Sequence, residues 1–221
     1  MNFETRGPEA SERMAAQKSR KFAMAETREA LILAGLAEFV EHGFDSPSLD
    51  RICSRAGFTR GAFYVHFENR EDFIVAVMEA RLGAFLDSII GGVDEGGLAP
   101  AVRRFTSAVV ELVNSASQVD DRRMTTVGGV TIQLHRMIDA AERSPRIRSR
   151  LVSLLGSAIV RITAMAEVEQ GSGEIRSDID PALLGELIVA LSIGSVTAAE
   201  AGLTLQSERV GEALLQLLKP R

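Results

Sequence analysis

Apolar residues recur at three- and four-residue spacing along most of this chain. Over residues 27–42 they form a broad helical face that ends at Gly43, where glycine can close a helix in the left-handed conformation. Similar stripes follow, and no segment shows the apolar/polar alternation of a half-buried strand. The stripes cover residues 69–91, 100–113, 124–143, 144–169, 180–201 and 207–218. The pattern predicts an all-α fold of nine or ten helices with a boundary near residue 75.

Capping residues, prolines and glycines mark the ends of these helices. Four of the starts combine a capping side chain or a proline at the first helical position with an apolar stripe behind it. The predicted starts are Pro100, Ser144-Pro145, Asp180-Pro181 and Ser207. Gly128-Gly129 lies inside the stripe 124–143, and each glycine weakens a helix by about 1 kcal/mol relative to alanine. Two helices, or one bent helix, are expected there.

Residues 46–73 predict two short helices joined by a tight turn, followed by a third helix. Ser48 can cap the first helix, and Gly57 falls where a left-handed residue would end it. Thr59 can cap the second helix and Asn69 the third. The apolar face of the first helix consists of Leu49, Ile52, Cys53 and Ala56.

The second of these helices has two distinct sides. Ala62, Phe63 and Phe67 are expected to pack inward, which leaves residues 60–61 and 64–66 outside. A helix whose first half offers an arginine, a glycine and small side chains can enter the major groove of DNA. An ordinary helical hairpin with an aromatic core explains the same spacing, so the spacing alone leaves both interpretations open.

Taken together, residues 48–73 resemble the DNA-binding signature of the tetracycline-repressor (TetR) family of one-component regulators. With residues 28–43 in front, the resemblance covers about 45 residues. Cys53, Phe58 and Arg70 replace the usual alanine, valine and lysine, and arginine retains the charge. The matching residues are Ser48, Leu49, Ile52, Cys53, Ala56, Gly57, Phe58, Thr59, Gly61, Ala62, Phe63, Tyr64, His66, Phe67, Asn69, Arg70, Glu71 and Phe73.

The resemblance implies a helix-turn-helix DNA-binding domain over residues 27–74 and a helical ligand-binding and dimerisation domain over residues 75–221. It places Arg60, Gly61 and Val65 toward base edges. The other DNA-binding candidates, chiefly expected at phosphates, are Ser48, Thr59, Tyr64, His66 and Arg70. It also implies a homodimeric repressor that a small molecule releases from a palindromic operator. A ligand-independent DNA-binding adapter or activator is the alternative.

The last two long helices, residues 144–169 and 180–201, are expected to form a four-helix bundle with those of a second copy. Packing of both helices inside one subunit is the alternative. The residues expected at the interface are Leu151, Leu155, Ile159, Leu184, Leu187, Leu191 and Ser195.

The resemblance further implies a small-molecule pocket among the central helices. No charged constellation in that region indicates a ligand class, so an apolar effector is expected. Plain core packing is the simpler interpretation for any single candidate. The candidates are Phe85, Phe105, Val109, Leu112, Met124, Leu134, His135, Ile138, Ile162 and Met165.

Composition and charge limit the kinds of partner that the protein is expected to bind. The chain has 221 residues, one cysteine, and no apolar run near the roughly 18 residues of a membrane span, so a soluble cytoplasmic protein without membrane partners is expected. Net charge is -5, and residues 27–76 hold five arginines against eight acidic residues, a net of -3. DNA contact must therefore come from local placement of Arg55, Arg60, Arg70 and helix N-termini, and should be sensitive to salt.

The N-terminal segment differs from the rest of the chain. Residues 1–26 lack apolar periodicity and collect basic residues, so a flexible arm is expected. An arm that follows the DNA, or a helical continuation over residues 14–25, are the alternatives.

The sequence shows no catalytic or metal-binding motif. His42, His66 and His135 lie far apart without metal-ligand spacing, and no phosphate-binding loop or serine nucleophile motif is present. Neither an enzyme nor a cofactor or metal site is expected, and an all-helical enzyme is a remote alternative.

Overall fold

The computed structural model describes residues 8–43, 47–91, 96–117, 126–127, 130–131 and 134–220. Over these ranges the chain is helical apart from one pair of two-residue strands, which confirms the all-α fold class. The helices are α1 (Pro8–His42), α2 (Leu49–Ala56), α3 (Arg60–His66), α4 (Arg70–Ile90), α5 (Leu98–Ser117), α6 (Leu134–Arg143), α7 (Pro145–Ser172), α8 (Pro181–Glu200) and α9 (Ser207–Leu217), and the strands are β1 (Thr126–Val127) and β2 (Val130–Thr131). The chain divides into two compact units, Met1–Phe73 and Ile74–Arg221.

The first unit is built around a cluster of phenylalanine rings. Phe73, at the start of α4, lies 5.1 Å from Phe63, 4.9 Å from Phe67 and 5.8 Å from Phe39, measured between ring centroids. All four rings are buried, and such aromatic pairs contribute about 0.5 to 1.5 kcal/mol each beyond area burial. The cluster therefore fixes α3 against α1 and the beginning of α4.

Residues 8–26, where a flexible arm was expected, form the first half of α1. The segment is rich in alanine, glutamate, lysine and arginine, which have high intrinsic helix propensity and need no apolar stripe to remain helical. The side chains of residues 13–14 and 16–26 face solvent, including those of Met14, Phe22 and Met24. The continuation of the next helix, one of the alternatives, extends to Pro8 and is longer than the predicted one or two turns.

The second unit is organised by α7 and α8, which pack on each other more extensively than any other pair of helices in the described chain. Gly185 allows this, because a Cβ there would lie 2.5 Å from Thr163 Oγ1 and 3.0 Å from the Ile159 carbonyl oxygen. The core of the unit consists of Ile90, Leu98, Ala158, Ile162, Ala166, Ile175, Leu184, Ile188, Val189 and Leu218.

The segment around the glycine pair differs from the prediction. Thr126–Val127 pairs antiparallel with Val130–Thr131, in the register Thr126 to Thr131 and Val127 to Val130, and α6 begins only at Leu134. Gly128-Gly129 itself lies outside the described residues. The β-branched residues on either side of it favour extended backbone, a preference that the helical stripe pattern did not take into account.

Two helices, α7 and α8, are long and apolar enough to cross a membrane by length and composition. The prediction from sequence considered only uninterrupted apolar runs. It therefore missed α7 and α8, whose apolar segments contain a few charged residues. Core helices of soluble proteins meet the same two criteria. Only 22% of the α7 window and 33% of the α8 window are buried within the chain, so much of their apolar surface faces outward.

Candidate nucleic-acid interface and effector pocket

The two short helices of the first unit are set by local capping bonds. The Ser48 hydroxyl accepts from the Arg51 backbone N–H at 3.2 Å, and the Thr59 hydroxyl accepts from that of Ala62 at 3.3 Å. Asn69 Oδ1 accepts from the Asp72 N–H at 2.9 Å, so it caps α4. Each bond satisfies a backbone donor that a helix start leaves without an intrahelical partner. The predicted caps are confirmed.

The turn between α2 and α3 depends on Gly57. This residue has φ of +76°, a conformation that side chains with a Cβ rarely adopt, and it donates its N–H to the Ser54 carbonyl at 3.2 Å. The next N–H, of Phe58, reaches the Cys53 carbonyl at 2.9 Å. Three residues separate the end of α2 from the start of α3, which is the geometry of a helix-turn-helix.

The outer side of α3 is open to solvent. Val65 is 65% and Tyr64 54% exposed, and Gly61 adds no side chain between them and the start of the helix. Arg60 is exposed, and its Nε lies 3.2 Å from Asp50 Oδ1 on α2. Exposed ion pairs of this kind contribute about 0 to 1 kcal/mol, so the guanidinium can exchange this carboxylate for another acceptor at small cost.

The predicted phosphate-contacting residues are placed in different ways. The Tyr64 ring packs edge-on against Phe63, with centroids 5.4 Å apart, which leaves the hydroxyl on the exposed side. His66 is half-buried beside Phe67. Arg70 is half-buried as well, and donates to the carbonyl oxygen of Pro47, the residue before the cap of α2. Arg70 therefore has a structural bond in addition to its predicted role at DNA.

Arg55, expected near DNA, is engaged within the unit. Its guanidinium donates to Glu38 Oε1 at 2.9 Å and to Glu41 Oε1 at 2.8 Å, and Glu38 is only 2% exposed. Arg51 Nε lies 2.7 Å from the other Glu38 oxygen. The hydrogen bond from Arg55 lowers the pKa of Glu41, and the same bond raises the pKa of Arg55. These carboxylates lie 14 and 17 positions before Arg55, so local sequence gave no signal for them.

Cys53 is buried in α2, and burial is the main reason that the pKa of its thiol is raised. Asp50 raises it further. Because the thiolate is the reactive form, this environment makes the thiol inert. No group of three or more His, Cys, Asp or Glu side chains that could bind a metal occurs in the part of the chain that the structure describes.

Four predicted pocket residues line apolar cavities in the second unit. Phe105 and Ile162 line a cavity of about 70 Å³. Both residues also line a neighbouring cavity of about 80 Å³, together with Phe85 and Leu134. Met165 lines a separate, wider cleft of about 620 Å³.

The remaining pocket candidates lie elsewhere. Val109 is buried but lines neither of the two apolar cavities. The His135 side chain is 58% exposed, and its Nδ1 lies 3.0 Å from Glu200 Oε2, while Ile138 is 40% exposed. The side chain of Leu112 and the whole of Met124 lie outside what the structure describes.

The residues expected at the dimer interface fall into two groups. Leu187 and Leu191 are exposed on α8 and Ser195 is half-buried, whereas Leu151 and Leu184 are buried within their own chain. Leu155 and Ile159 on α7 are half-buried. The most exposed apolar side chains on α7 are Val152, Val160 and Val168, each between 63% and 69% exposed. One residue corresponds to about 100° of rotation around a helix, and α7 is apolar on more than one side, so the sequence could not distinguish these two faces.

An exposed recognition helix on a capped helix-turn-helix defines a sequence-specific DNA-binding protein. The family model described as bacterial regulatory proteins, tetR family, matches residues 31–77, which include this motif. The DNA-binding unit is therefore that of the TetR family of transcriptional regulators.

Similarity to known regulators extends beyond the DNA-binding unit. The chain is 29% identical to the transcriptional regulator AcuR of Cereibacter sphaeroides over 72% of this chain and 69% of that protein. It is 25% identical to the transcriptional repressor DhaR of Mycobacterium sp. strain GP1 over 86% and 88% of the two chains. The solved complex of SmeT, a repressor from Stenotrophomonas maltophilia, with triclosan shares the fold, with a TM-score of 0.63, 24% identity and coverage of 86% and 88%.

Proposed function

We propose that this regulator is a homodimeric repressor that a small-molecule ligand releases from a palindromic operator. The observation that carries the proposal is the outer side of α3, where Arg60, Gly61 and Val65 are exposed together on a helix fixed by buried aromatic rings. Rigid presentation of a few side chains is what direct recognition of base edges requires. We place the protein in the cytoplasm, where its DNA is.

The apolar surface of the second unit supports the dimer. Leu183, Leu187 and Leu191 follow one another at four-residue spacing on α8 and are 60%, 50% and 44% exposed. Residues at that spacing form one continuous stripe on a helix. Exposed apolar surface of this kind on α8, with further exposed valines on α7, is typical of protein–protein interfaces, and a second copy would bury it.

The ligand part of the proposal is supported by the apolar cavities of the second unit and by the relatives. DhaR is named a repressor, and SmeT is solved with triclosan bound. In this proposal ligand binding and DNA binding are coupled. The ligand favours a dimer in which the two α3 helices do not fit the operator. Linkage requires that operator DNA weaken ligand binding by the same factor as the ligand weakens DNA binding.

Selection of binding sequences from a random double-stranded library tests the DNA part. The enriched sequences should be two-fold symmetric, with half-sites about one helical turn apart or somewhat further. Fluorescence anisotropy on the enriched operator, with and without a compound library, then tests release. Enrichment of single asymmetric half-sites would contradict the dimer, and an operator affinity that no compound changes would favour the ligand-independent adapter.

A further inference from the structure

The two apolar cavities of the second unit adjoin each other. They share Ile89, Ile90, Phe105, Ile162 and Ser192 as lining residues. Their volumes are about 70 and about 80 Å³, together about 150 Å³. An apolar cavity of about 150 Å³ is large enough to bind benzene. A molecule that occupied both cavities would therefore be compact, of about that size.

The hydroxyl groups that line these cavities are not equivalent. Thr106 Oγ1 donates to the Arg103 carbonyl at 3.0 Å, and Ser192 Oγ and Ser195 Oγ each donate to the carbonyl four residues earlier at 2.8 Å. These three hydroxyls use their protons within their own helices. Ser207 Oγ is different, because it is buried and has no hydrogen-bond partner among the described residues.

Ser207 was predicted to cap α9, and that prediction is wrong. It is the first residue of the helix, Gln206 occupies the cap position, and no side chain makes a capping bond there. Ser207 is 5% exposed and lines the cavity that Ile162, Phe105 and Leu191 also line. A buried hydroxyl without a partner destabilises the protein, so a bound molecule that supplies the partner would recover free energy.

Charge is absent from this lining. Within the described part of the chain, neither cavity is lined by an arginine, lysine, aspartate, glutamate or histidine. Transfer of an ionised ligand group into such surroundings is strongly unfavourable unless an opposite charge meets it. A carboxylate or an amine is therefore a poor occupant.

We propose that the effector of this regulator is a neutral, compact, mostly apolar molecule carrying one hydroxyl group, which Ser207 Oγ recognises by a hydrogen bond. The inference rests on the proposed function in one respect, since it assumes that this cavity is the effector site. The hydroxyl of Ser207 determines the selectivity among molecules of equal size, while the apolar wall provides most of the affinity.

Three probes that share a methylphenyl group test this class: toluene, p-cresol and p-toluate. Binding to the full-length protein without DNA is measured by calorimetry or by ligand-observed NMR. The wild-type protein should bind p-cresol more tightly than toluene and should not bind p-toluate. Ser207→Ala should weaken p-cresol about three- to tenfold, the value of one neutral hydrogen bond, and leave toluene unchanged.

Ser192→Ala is the matched control, because it removes a hydroxyl from the same lining that already donates to the Ile188 carbonyl. It should leave the preference of p-cresol over toluene unchanged. Unfolding midpoints of both variants confirm that the fold is intact. The proposal is overturned if p-toluate binds as tightly as p-cresol, if Ser207→Ala retains the preference, or if none of the three probes binds.

Failure of this inference can be distinguished from failure of the proposed function. If p-cresol binds through Ser207 but does not change operator affinity, the cavity chemistry stands and release by this site is wrong. If another compound releases DNA without competing with p-cresol, ligand release stands and the assignment of the cavity is wrong.

Discussion

Arg60 and Tyr64 lie one helical turn apart on the outer side of α3 and are constrained differently. The ion-pair partner of Arg60 among the described residues is the exposed Asp50, so its guanidinium is available to a base at small cost. Tyr64 is fixed by the contact of its ring with Phe63, so only its hydroxyl is available. The first arrangement suits recognition of a base edge, and the second suits a positioning bond to a phosphate.

Arg60→Ala should relax the sequence preference at one base pair in each half-site. An arginine that forks onto guanine contributes about 1 to 3 kcal/mol of discrimination against the wrong base. Affinities for the selected operator and for single-base variants of it, measured by anisotropy, provide the test. Equal weakening on operator and scrambled DNA would mean that Arg60 contacts the backbone instead.

Tyr64→Phe is the partner experiment, because it removes the hydroxyl and retains the ring on Phe63. It should weaken operator and scrambled DNA by the same factor, about two- to tenfold. Arg70→Ala is a poorer test, since it also removes the bond to the Pro47 carbonyl. A change in base preference for Tyr64→Phe would show that its hydroxyl reaches a base.

At this scale the sequence predicted what depends on near neighbours. The bonds of Ser48, Thr59 and Asn69 join residues three positions apart, so capping rules were sufficient. The sequence did not indicate the bond of Arg55 to Glu38 of α1, and it wrongly predicted Ser207 as a cap, because the surroundings of both residues come from distant segments. A spacing rule has no access to such partners.

Among the elements, α1 and α2 are joined by a buried carboxylate. The Glu38 carboxylate forms ion pairs with Arg55 and Arg51, and its side chain is 3% exposed. Arg51 and Arg55 are 53% and 39% exposed, so replacing Glu38 chiefly removes charge-assisted hydrogen bonds to its buried carboxylate. This contact couples the scaffold helix to the helix that precedes the turn.

Glu38→Gln should destabilise the first unit by about 1 to 3 kcal/mol, because hydrogen bonds to a charged group are lost at a buried position. Tyr64 is the only tyrosine and the chain has no tryptophan, so tyrosine fluorescence during urea unfolding reports on this unit alone. Glu41→Gln, at an exposed carboxylate that also meets Arg55, is the control and should shift the midpoint much less. Equal shifts for the two variants would show that burial of Glu38 contributes nothing.

The close approach of α7 and α8 gives a second test at this scale. Gly185→Ala would bring a methyl group within 3.0 Å of the Ile159 carbonyl oxygen, so the helices must separate, at a cost of about 1 to 3 kcal/mol. Gly83→Ala on α4 meets no atom within 4 Å and should stabilise by about 0.5 to 1 kcal/mol. Thermal unfolding followed by circular dichroism measures both changes, and a Gly185→Ala variant as stable as Gly83→Ala would refute the packing argument.

Helix positions were predictable from periodicity and caps, but the strand pair was not. Thr126–Val127 and Val130–Thr131 are only two residues each, too short to show a period of two. The orientation of α7 could not be predicted from the sequence either. The helix has apolar residues on several sides, and their pattern does not indicate which side packs on α8. Packing within the whole unit decides that choice.

For the whole molecule, Leu187→Glu should convert the proposed dimer into a folded monomer. Leu187 is 50% exposed in the single chain, so the carboxylate is tolerated there and becomes costly only when a second copy covers it. Light scattering gives the mass, and circular dichroism confirms the fold. Leu217→Glu, at a leucine on α9 that is 67% exposed, is the matched control and should remain dimeric. A dimeric Leu187→Glu variant would place the interface elsewhere.

The uncovered apolar surface of α7 and α8 has a consequence for the lifetime of a newly made subunit. If pairing buries that surface, part of the free energy of folding comes from association, and the thermal midpoint rises with protein concentration. A freshly made subunit would then remain a better substrate for proteases and chaperones until it meets another. The number of molecules in the cell would thereby influence the lifetime of each one.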